Sequence, residues 1–225
     1  MKPFLLFLIL SGACCLAWSQ EPFYPKQYSF GRRHVFFEDQ FNDDRNGWLD
    51  TSRRDEEDPP SKDTIVSRRV IAGGYLDYQV IKGKRPYSCV IPVAIDQQKD
   101  FEIELSVKLE ALKKYRVAGT LVWGRRNMER CNYLYMSTEG KFLMLSCDTE
   151  PGGKCSSKSR RVWDFNPREF KKITLRRYQD RYYLFVNERL EGTFPFRPLK
   201  GNKLGLGTGP GGHIICDYIK VSYLD

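Results

Sequence analysis

The sequence predicts an all-β protein, a two-sheet antiparallel jelly-roll sandwich. Between His34 and Asp225, about a dozen short segments alternate apolar and polar residues, which is the period of a half-buried strand. Clusters of Gly, Asn and Asp separate these segments, and we find no convincing helical pattern. Many short strands separated by regular turns are typical of sandwiches and jelly rolls.

The N-terminus has the pattern of a secretory signal peptide, residues 1–19. A positive charge at Lys2 precedes the apolar run Phe4–Leu10. The small residues Ala17 and Ser19 then occupy the two positions that a signal peptidase recognises. We therefore expect a secreted protein, or one of the periplasm or cell envelope, cleaved before Gln20.

Two alternatives apply to the same segment. The first is a membrane anchor, but the apolar run is shorter than the ~20 residues that span a bilayer, so we expect no transmembrane span. The second is a lipid anchor at Cys14, because Ser-Gly-Ala precedes this cysteine as in a bacterial lipoprotein box. The Leu that usually stands three residues before the cysteine of such a box is absent.

The exported chain is predicted to be an arm followed by one domain, residues 34–225. Residues 20–33 contain two prolines and several aromatic residues without a period, so we expect an irregular arm that lies on the domain. Thr51–Lys62 is charged and contains Pro59-Pro60, which indicates a solvent-exposed loop.

Alternation and turn signals place the first strands of the domain. The cleanest alternation lies in Asp100–Leu109, where five apolar side chains share one face and should point into the core. Burial of each contributes about 1.5–3 kcal/mol before the entropy cost is subtracted. The strands predicted in this part are His34–Phe41, Ser67–Ala72, Tyr75–Ile81, Tyr87–Ile95, Asp100–Leu109, Tyr115–Trp123, Cys131–Ser137 and Lys141–Cys147.

The last third of the chain predicts an up-and-down meander and a closing strand. Phe170–Tyr178, Arg181–Val186 and the segment starting at Arg189 are separated by two-residue polar breaks, which indicate tight hairpins. Gly201–Gly212 is rich in glycine and is predicted as a turn segment. It leads into the closing strand Ile214–Tyr223.

Export permits disulfides, and five cysteines follow the signal peptide. A three-residue loop at Thr138–Gly140 would place Cys131 opposite Cys147, whereas a two-residue loop would place them on opposite faces. The competing partner of Cys147 is Cys155, and closing that short loop would contribute somewhat less than ~3 kcal/mol. We favour Cys147–Cys155, and the odd count leaves at least one thiol free or paired between chains.

Seven short motifs follow one another in a recognisable order along the domain. They are Phe36–Phe41 with Gly47-Trp48, Phe101–Leu105, Gly119–Gly124, Lys172–Arg177, Tyr183–Leu190, Leu204–Gly207 and Asp217–Val221. In this order they resemble the concanavalin A-like and laminin-G-like jelly-roll superfamily, in particular its secreted bacterial members. The resemblance implies a two-sheet jelly roll but no single activity, because the fold hosts lectin-like modules, adhesion modules and glycoside hydrolases.

We find no catalytic set in the sequence. A retaining glycosidase needs two carboxylates ~5–5.5 Å apart, and the hydrolases that this fold resembles carry Glu-x-Asp-x-x-Glu on one strand. Glu102 and Glu104 share a strand face, but the third acid is missing and Ser106 and Lys108 continue that face. A solvent-facing strand explains this pattern better.

The sequence also gives little support for a metal site or for a catalytic nucleophile. His34 and His213 are the only two histidines, and we predict that His213 lies in a turn without a catalytic partner. The absence of a C-x-x-C pattern argues against zinc. Asn42–Asp44 offers oxygen atoms that calcium accepts, but a hydrated turn is the simpler interpretation. We therefore expect no metal and no cofactor.

The candidate ligand-binding residues are Trp48, Trp123, Arg125, Arg126 and Asn127. Aromatic faces stack on sugar rings, and the two guanidiniums and the amide after Trp123 suit an acidic or sulfated glycan. The alternative is that both tryptophans fill the core and that the arginines belong to a solvated loop.

The charge pattern narrows the class of partner. The formal net charge of +9 favours acidic partners, but the basic pairs are scattered along an exported chain, which argues against nucleic acid. The sequence thus predicts a secreted or cell-envelope, non-catalytic binding module whose partner is a neutral or acidic glycan, or a protein. The alternatives are a carbohydrate-active hydrolase of the same fold and a structural envelope protein that contacts other proteins.

Overall fold

The structure is a computed structural model that describes residues 32–50, 65–111, 117–148 and 155–225. The predicted signal peptide, the predicted lipidation site Cys14, most of the predicted arm and the charged loop 51–64 lie outside the described residues. Fourteen strands make up the regular structure of the described part.

The strands are joined by short turns and by longer connections such as residues 93–100, 162–170 and 196–202. They are β1 Arg33–Asp39, β2 Val66–Ala72, β3 Tyr75–Lys82, β4 Tyr87–Pro92, β5 Phe101–Ala111, β6 Gly119–Asn127, β7 Arg130–Met136, β8 Lys141–Asp148, β9 Ser156–Arg161, β10 Lys171–Tyr178, β11 Arg181–Val186, β12 Arg189–Pro195, β13 Lys203–Thr208 and β14 Gly212–Leu224.

These strands form two antiparallel sheets, which confirms the predicted fold class. The eight-stranded sheet has the order β12-β11-β10-β5-β14-β3-β2, and β1 pairs with the second half of β14. The six-stranded sheet has the order β4-β13-β6-β7-β8-β9. Neighbours in each sheet are often distant in sequence, as in a jelly roll, and the core lies where the apolar faces of the two sheets meet.

The core face of β5 is the one that the alternation predicted. The opposite face of β5 carries the polar side chains, since successive residues of a strand point to opposite sides of the sheet. Each predicted core residue is at most 1% exposed, and the set is Phe101, Ile103, Leu105, Val107 and Leu109.

The predicted meander at the C-terminal end is also confirmed. β10 pairs with β11 and β11 with β12, each antiparallel. The β11–β12 turn consists of Asn187 and Glu188, with φ angles of 48° and 66°. A two-residue hairpin loop with positive φ at both positions has the twist that matches its flanking strands.

The glycine-rich segment contains a strand, so its prediction as a turn is wrong for Lys203–Thr208. This strand, β13, lies inside the six-stranded sheet between β4 and β6. Leu204 and Leu206 are fully buried in the core, so Gly205 and Gly207 face outward. A Cβ at Gly205 would lie 2.5 Å from the carbonyl oxygen of Cys89, so glycine permits the close approach of β4.

Candidate functional site

The outer face of the six-stranded sheet is partly apolar. On β6, Leu121 and Trp123 point into the core, so Thr120 and Val122 point outward. Val122 belongs to a second apolar cluster, separate from the core, with Cys131, Tyr133 and Cys147. The members of this cluster are at most 9% exposed, so it is a small second core, against which the partly buried Tyr135 and Leu145 pack.

Two tyrosines of β7 project from this outer face. Tyr133 and Tyr135 alternate with the core residues Leu134 and Met136, and they face Val122 and Thr120 of β6. Their rings are nearly parallel, with centroids 5.4 Å apart. The Tyr133 hydroxyl donates to the carbonyl oxygen of Met128 at 3.1 Å, which fixes the position of the inner ring.

A bulge in β6 brings Arg125 to the same face. Gly124 has a φ of 58°, and a Cβ there would lie 2.6 Å from a methyl carbon of Leu199. After this bulge the Arg125 guanidinium donates from Nη1 to the Ser88 hydroxyl at 3.1 Å. Gly207 of β13 lies between Ser88 and Thr120 and presents no side chain. Arg125 is therefore built into the sheet surface and is only 5% exposed.

These residues enclose a cavity of about 230 Å³. Thr120 lines it, and the hydroxyl oxygen of this residue is buried and has no hydrogen-bond partner in the described part of the chain. At the rim lies Arg85, whose side chain is exposed. The lining consists of Arg85, Pro86, Tyr87, Ser88, Thr120, Arg125, Met128, Tyr133, Tyr135, Leu145 and Cys147.

Both predicted ligand-binding tryptophans lie in the core instead. Trp123 is 0% exposed, and its Nε1 donates to the Tyr182 hydroxyl at 3.1 Å. Trp48 is also 0% exposed, and its Nε1 donates to Asp39 at 2.7 Å. The expectation that these rings stack on a sugar is corrected, because burial leaves neither ring a face for a ligand.

The three polar residues that follow Trp123 separate in space. Arg125 lines the cavity, and Arg126 is exposed. The Asn127 side-chain oxygen accepts hydrogen bonds from the backbone N–H groups of Glu129 and Arg130, at 3.0 and 2.9 Å. Asn127 therefore stabilises the β6–β7 turn, and only Arg125 of the three belongs to the cavity lining.

Of the two loop lengths considered for the β7–β8 turn, the structure has the three-residue loop. Cys131 is opposite Cys147 in the β7–β8 pair, and Cys147 forms a disulfide with Cys155, the pair that we favoured. The remaining cysteines of the described residues, Cys89, Cys131 and Cys216, are buried and form no disulfide there. Burial raises the pKa of the Cys89 thiol to about 11, so this thiol stays protonated and unreactive.

The acidic pair on β5 is buried in an ion-pair network, so the predicted solvent-facing strand is wrong. Glu102 is 0% and Glu104 4% exposed. β5 is a central strand, and basic side chains of its two neighbours reach these carboxylates. Arg176 of β10 donates from Nη2 to Glu102 at 2.9 Å. Lys172 of β10 and Lys220 of β14 contact Glu104 at 2.8 and 3.0 Å.

The pKa of Glu104 is lowered despite its burial. Burial raises the pKa of this carboxyl, but hydrogen bonds from Lys172 and Lys220 lower it by more. The Tyr218 hydroxyl also donates to Glu104 at 3.0 Å. Glu104 is therefore held as a carboxylate and is unsuited to act as a general acid, which needs a raised pKa.

His213 lies in strand β14, so its predicted place in a turn is wrong. Its Nε2 is 2.9 Å from Asp77 and its Nδ1 is 3.2 Å from Glu110. Both ring nitrogens are thus engaged by carboxylates of the neighbouring strands β3 and β5.

A second depression, of about 430 Å³, lies on the eight-stranded sheet. Its polar lining is largely bonded within the protein: Gln40 donates to Glu38 at 3.0 Å, and Lys220 and Tyr218 both contact Glu104. The cavity of the six-stranded sheet is thus the stronger candidate, because it holds a buried hydroxyl without a partner.

Within residues 32–50, 65–111, 117–148 and 155–225, no group of three or more His, Cys, Asp or Glu residues is placed to hold a metal ion. No helix in those ranges has the length and apolar character needed to cross a membrane.

Comparison with known proteins shows the fold. No family model and no curated protein matches the sequence. A laminarinase catalytic domain from Thermotoga petrophila is similar in structure, with a TM-score of 0.53, 13% identity and coverage of 86% of this chain and 99% of that chain. The carbohydrate-binding module CBM66 from Bacillus subtilis matches with a TM-score of 0.51 and 11% identity, covering 72% of this chain and 96% of that one.

A third similar structure is the CBM2 module of the evolved Dit of Lactobacillus casei BL23 phage J-1. Its TM-score is 0.53 at 10% identity, and the match covers 86% of this chain and 96% of that chain. The chain therefore has the concanavalin A-like jelly-roll fold that the motifs indicated. Carbohydrate-binding modules and glycoside hydrolases share this fold, so the fold alone does not decide between them.

The sequence analysis missed most of the cavity residues. Tyr133 and Tyr135 are spaced by two residues in a predicted strand, so a shared face could have been inferred for them. Nothing local in the sequence indicates that Ser88 and Thr120 lie near them, because their strands come together only in the folded sheet.

Proposed function

We propose that this protein is a non-catalytic carbohydrate-binding module that holds its ligand on the outer face of the six-stranded sheet. The observation that carries this proposal is the cavity in which two stacked tyrosines adjoin a buried guanidinium and a buried hydroxyl without a partner. Carbohydrate sites commonly combine an apolar ring face with a few fixed polar groups. Two of the similar folds described above are carbohydrate-binding modules, which is consistent with this assignment.

The outer tyrosine is the expected contact with a sugar ring. Tyr135 is partly exposed, whereas Tyr133 is 9% exposed and bonded to Met128. Burial is the main factor that raises the pKa of Tyr135, to about 12. Its hydroxyl is therefore protonated at neutral pH and can donate a hydrogen bond to a sugar oxygen.

A hydrolase of the same fold is the second candidate, favoured by the similarity to a laminarinase catalytic domain. The chemistry of the described residues argues against it. The cavity lining contains no Asp or Glu among the described residues. On the other sheet, Glu102 and Glu104 are held by basic side chains, and the pKa of Glu104 is lowered rather than raised. A glycosidase needs one carboxylic acid that is protonated at its working pH.

Export is part of the same proposal. The pattern of residues 1–19 and the Cys147–Cys155 disulfide fit a secreted or cell-envelope protein, where disulfides persist. The protein-contact alternative through an odd cysteine is less favoured, since the cysteines outside the disulfide are buried among the described residues.

The test is a glycan array with the exported chain, followed by titration of each glycan that binds. Tyr135→Ala should weaken binding about tenfold, because covering roughly 60 Å² of apolar ring surface contributes about 1.5 kcal/mol. Tyr75→Ala is the matched control, because Tyr75 is an exposed tyrosine that lines the depression of the other sheet. Silence across the array with a folded protein, or loss of binding in Tyr75→Ala alone, would contradict the proposal.

A further inference from the structure

We propose that the ligand of this cavity carries an anionic group, a carboxylate or a sulfate ester, which Arg85 and Thr120 recognise. This inference rests on the proposed function and names the class of sugar that the site selects. It concerns chemistry that carboxylate and sulfate share, namely oxygen atoms with delocalised negative charge.

The charge of the cavity lining is the first observation. Two of its lining residues, Arg85 and Arg125, are guanidiniums, and the described lining contains no carboxylate. Asp148 follows Cys147 along β8, and its carboxylate is paired with Lys200, with Nζ and Oδ2 2.5 Å apart. The described part of the site therefore presents positive charge to a ligand.

The Arg85 side chain is exposed and can contact a ligand, unlike that of Arg125. Arg125 is buried and donates to Ser88, which makes it a fixed part of the wall. Arg85 is exposed at the rim, ahead of β4. Guanidinium is the side chain that matches planar, two-oxygen anions by paired hydrogen bonds, so a rim arginine suits a carboxylate or sulfate that enters the cavity.

Thr120 supplies the second, independent observation. It is 2% exposed, and its Oγ1 has no hydrogen-bond partner in the described structure. A buried hydroxyl without a partner costs free energy, and native proteins rarely keep one without a reason. This oxygen has almost no accessible surface in the free protein, so the lining side chains have to move apart before an anionic ligand oxygen can accept its hydrogen bond.

The experiment compares each acidic polysaccharide with its own uncharged form. The probes are polygalacturonate with its fully methyl-esterified form, and dextran sulfate with dextran. We expect the exported chain to bind at least one acidic probe about tenfold or more tighter than its neutral partner, as charge-assisted hydrogen bonds are roughly twice as strong as neutral ones. Tighter binding of polygalacturonate would indicate a carboxylate ligand, and tighter binding of dextran sulfate would indicate a sulfate ester.

Two arginine variants distinguish specific binding of the acidic probe in the cavity from its general attraction to a positively charged protein. Arg85→Ala should weaken binding of the preferred acidic probe about tenfold. Arg181→Ala removes the same charge from an exposed position on the eight-stranded sheet and should leave binding nearly unchanged. Equal losses in the two variants would mean that only net charge attracts the probe, and this would overturn the inference.

The variant Thr120→Val distinguishes a role of the hydroxyl in ligand binding from a role in the stability of the fold. It keeps the side-chain shape and removes a hydroxyl that has no partner in the fold. We expect thermal stability to be kept or raised while affinity for the acidic probe falls severalfold. Unchanged affinity in Thr120→Val would overturn the part of the inference that concerns this hydroxyl.

The outcomes distinguish this inference from the proposed function. Equal affinity for acidic and neutral probes would refute the anionic ligand and leave glycan binding intact. Binding of neutral array glycans with silence on both acidic probes would refute it as well. Silence on the array and on all four probes would contradict both proposals.

Discussion

Replacement of Trp123 by Phe tests whether this residue is part of the core or of a binding surface. The structure places the indole in the core at 0% exposure, in edge-to-face contact with the Tyr182 ring at 5.6 Å. Its N–H donates to the Tyr182 hydroxyl. Trp123→Phe should therefore lower stability strongly and affect ligand binding only through folding.

The expected loss follows from the atoms that are removed. The change from indole to phenyl removes two ring carbons, worth about 0.8 kcal/mol each when buried. It also removes the donor to the Tyr182 hydroxyl, and a buried group left without its partner costs about 1–3 kcal/mol. The free energy of unfolding should thus fall by about 2.5–4.5 kcal/mol in total. For a domain of this size, each 1 kcal/mol corresponds to roughly 2–4 °C in Tm.

Urea denaturation and differential scanning calorimetry measure these changes. Trp163→Phe is the matched control, because Trp163 is 67% exposed and should tolerate the same substitution within about 0.5 kcal/mol. If Trp123→Phe were as stable as the parent protein but lost its ligand, the placement of Trp123 in the core would be refuted.

Two further predictions concern the cysteines and the buried acids. In the variant Cys155→Ser, we expect Cys147 to form a disulfide with Cys131. The two residues are directly opposite on antiparallel strands, at the ~4.5–5.5 Å Cα separation that a disulfide permits. Peptide mass mapping under oxidising conditions measures this pairing, and detection of free thiols only would refute this register. Glu104→Gln should lower stability at pH 7 by about 1–3 kcal/mol. The folded-state pKa of Glu104 lies below its ordinary 4.5, so the stability that this carboxylate contributes is present above pH 4.5 and is lost as the pH falls through the folded-state pKa. Urea denaturation from pH 7 to pH 3 should therefore show the deficit of Glu104→Gln shrinking below pH 4.5, and the exposed control Glu139→Gln should have only a small effect on stability at pH 7. A constant deficit of Glu104→Gln would contradict the ion-pair assignment.

The alternation of apolar and polar residues predicted those strands that have one face in the core and the other face among polar groups. β5 has one core face and one polar face, and the meander strands β10 and β11 alternate in the same way. In such strands the pattern of apolar and polar residues indicates which face is buried. The register of β7 and β8 was likewise predictable, because a three-residue loop fixes which residues are opposite.

Two strands were missed for opposite reasons. β9, Ser156–Arg161, is an edge strand with six polar residues, so it has no apolar face to produce alternation. β13 does alternate, as Leu-Gly-Leu-Gly, but its glycines were taken as turn signals. Their role is the close approach of β4, which depends on a partner more than one hundred residues away in sequence and has no local signal.

The binding residues were harder to predict than the fold. Trp123 lies on a strand with apolar residues on both sides, so local pattern does not tell which face reaches the core. Arg125 reaches the outer face only because of the bulge at Gly124. The cavity depends on the juxtaposition of β4, β6, β7 and β8, which is a property of the sheet order and not of any one segment.

The central claim is that a sugar binds on the outer face of the six-stranded sheet. It is tested most directly by NMR with the isotopically labelled protein, titrated with the glycan that binds best on the array. We predict that the largest amide shifts occur at Thr120, Tyr133, Tyr135 and Ser88, with little change at Gly73 and Gly74. Shifts concentrated at Gly73, Gly74 and Tyr75, in the depression of the eight-stranded sheet, would contradict the account.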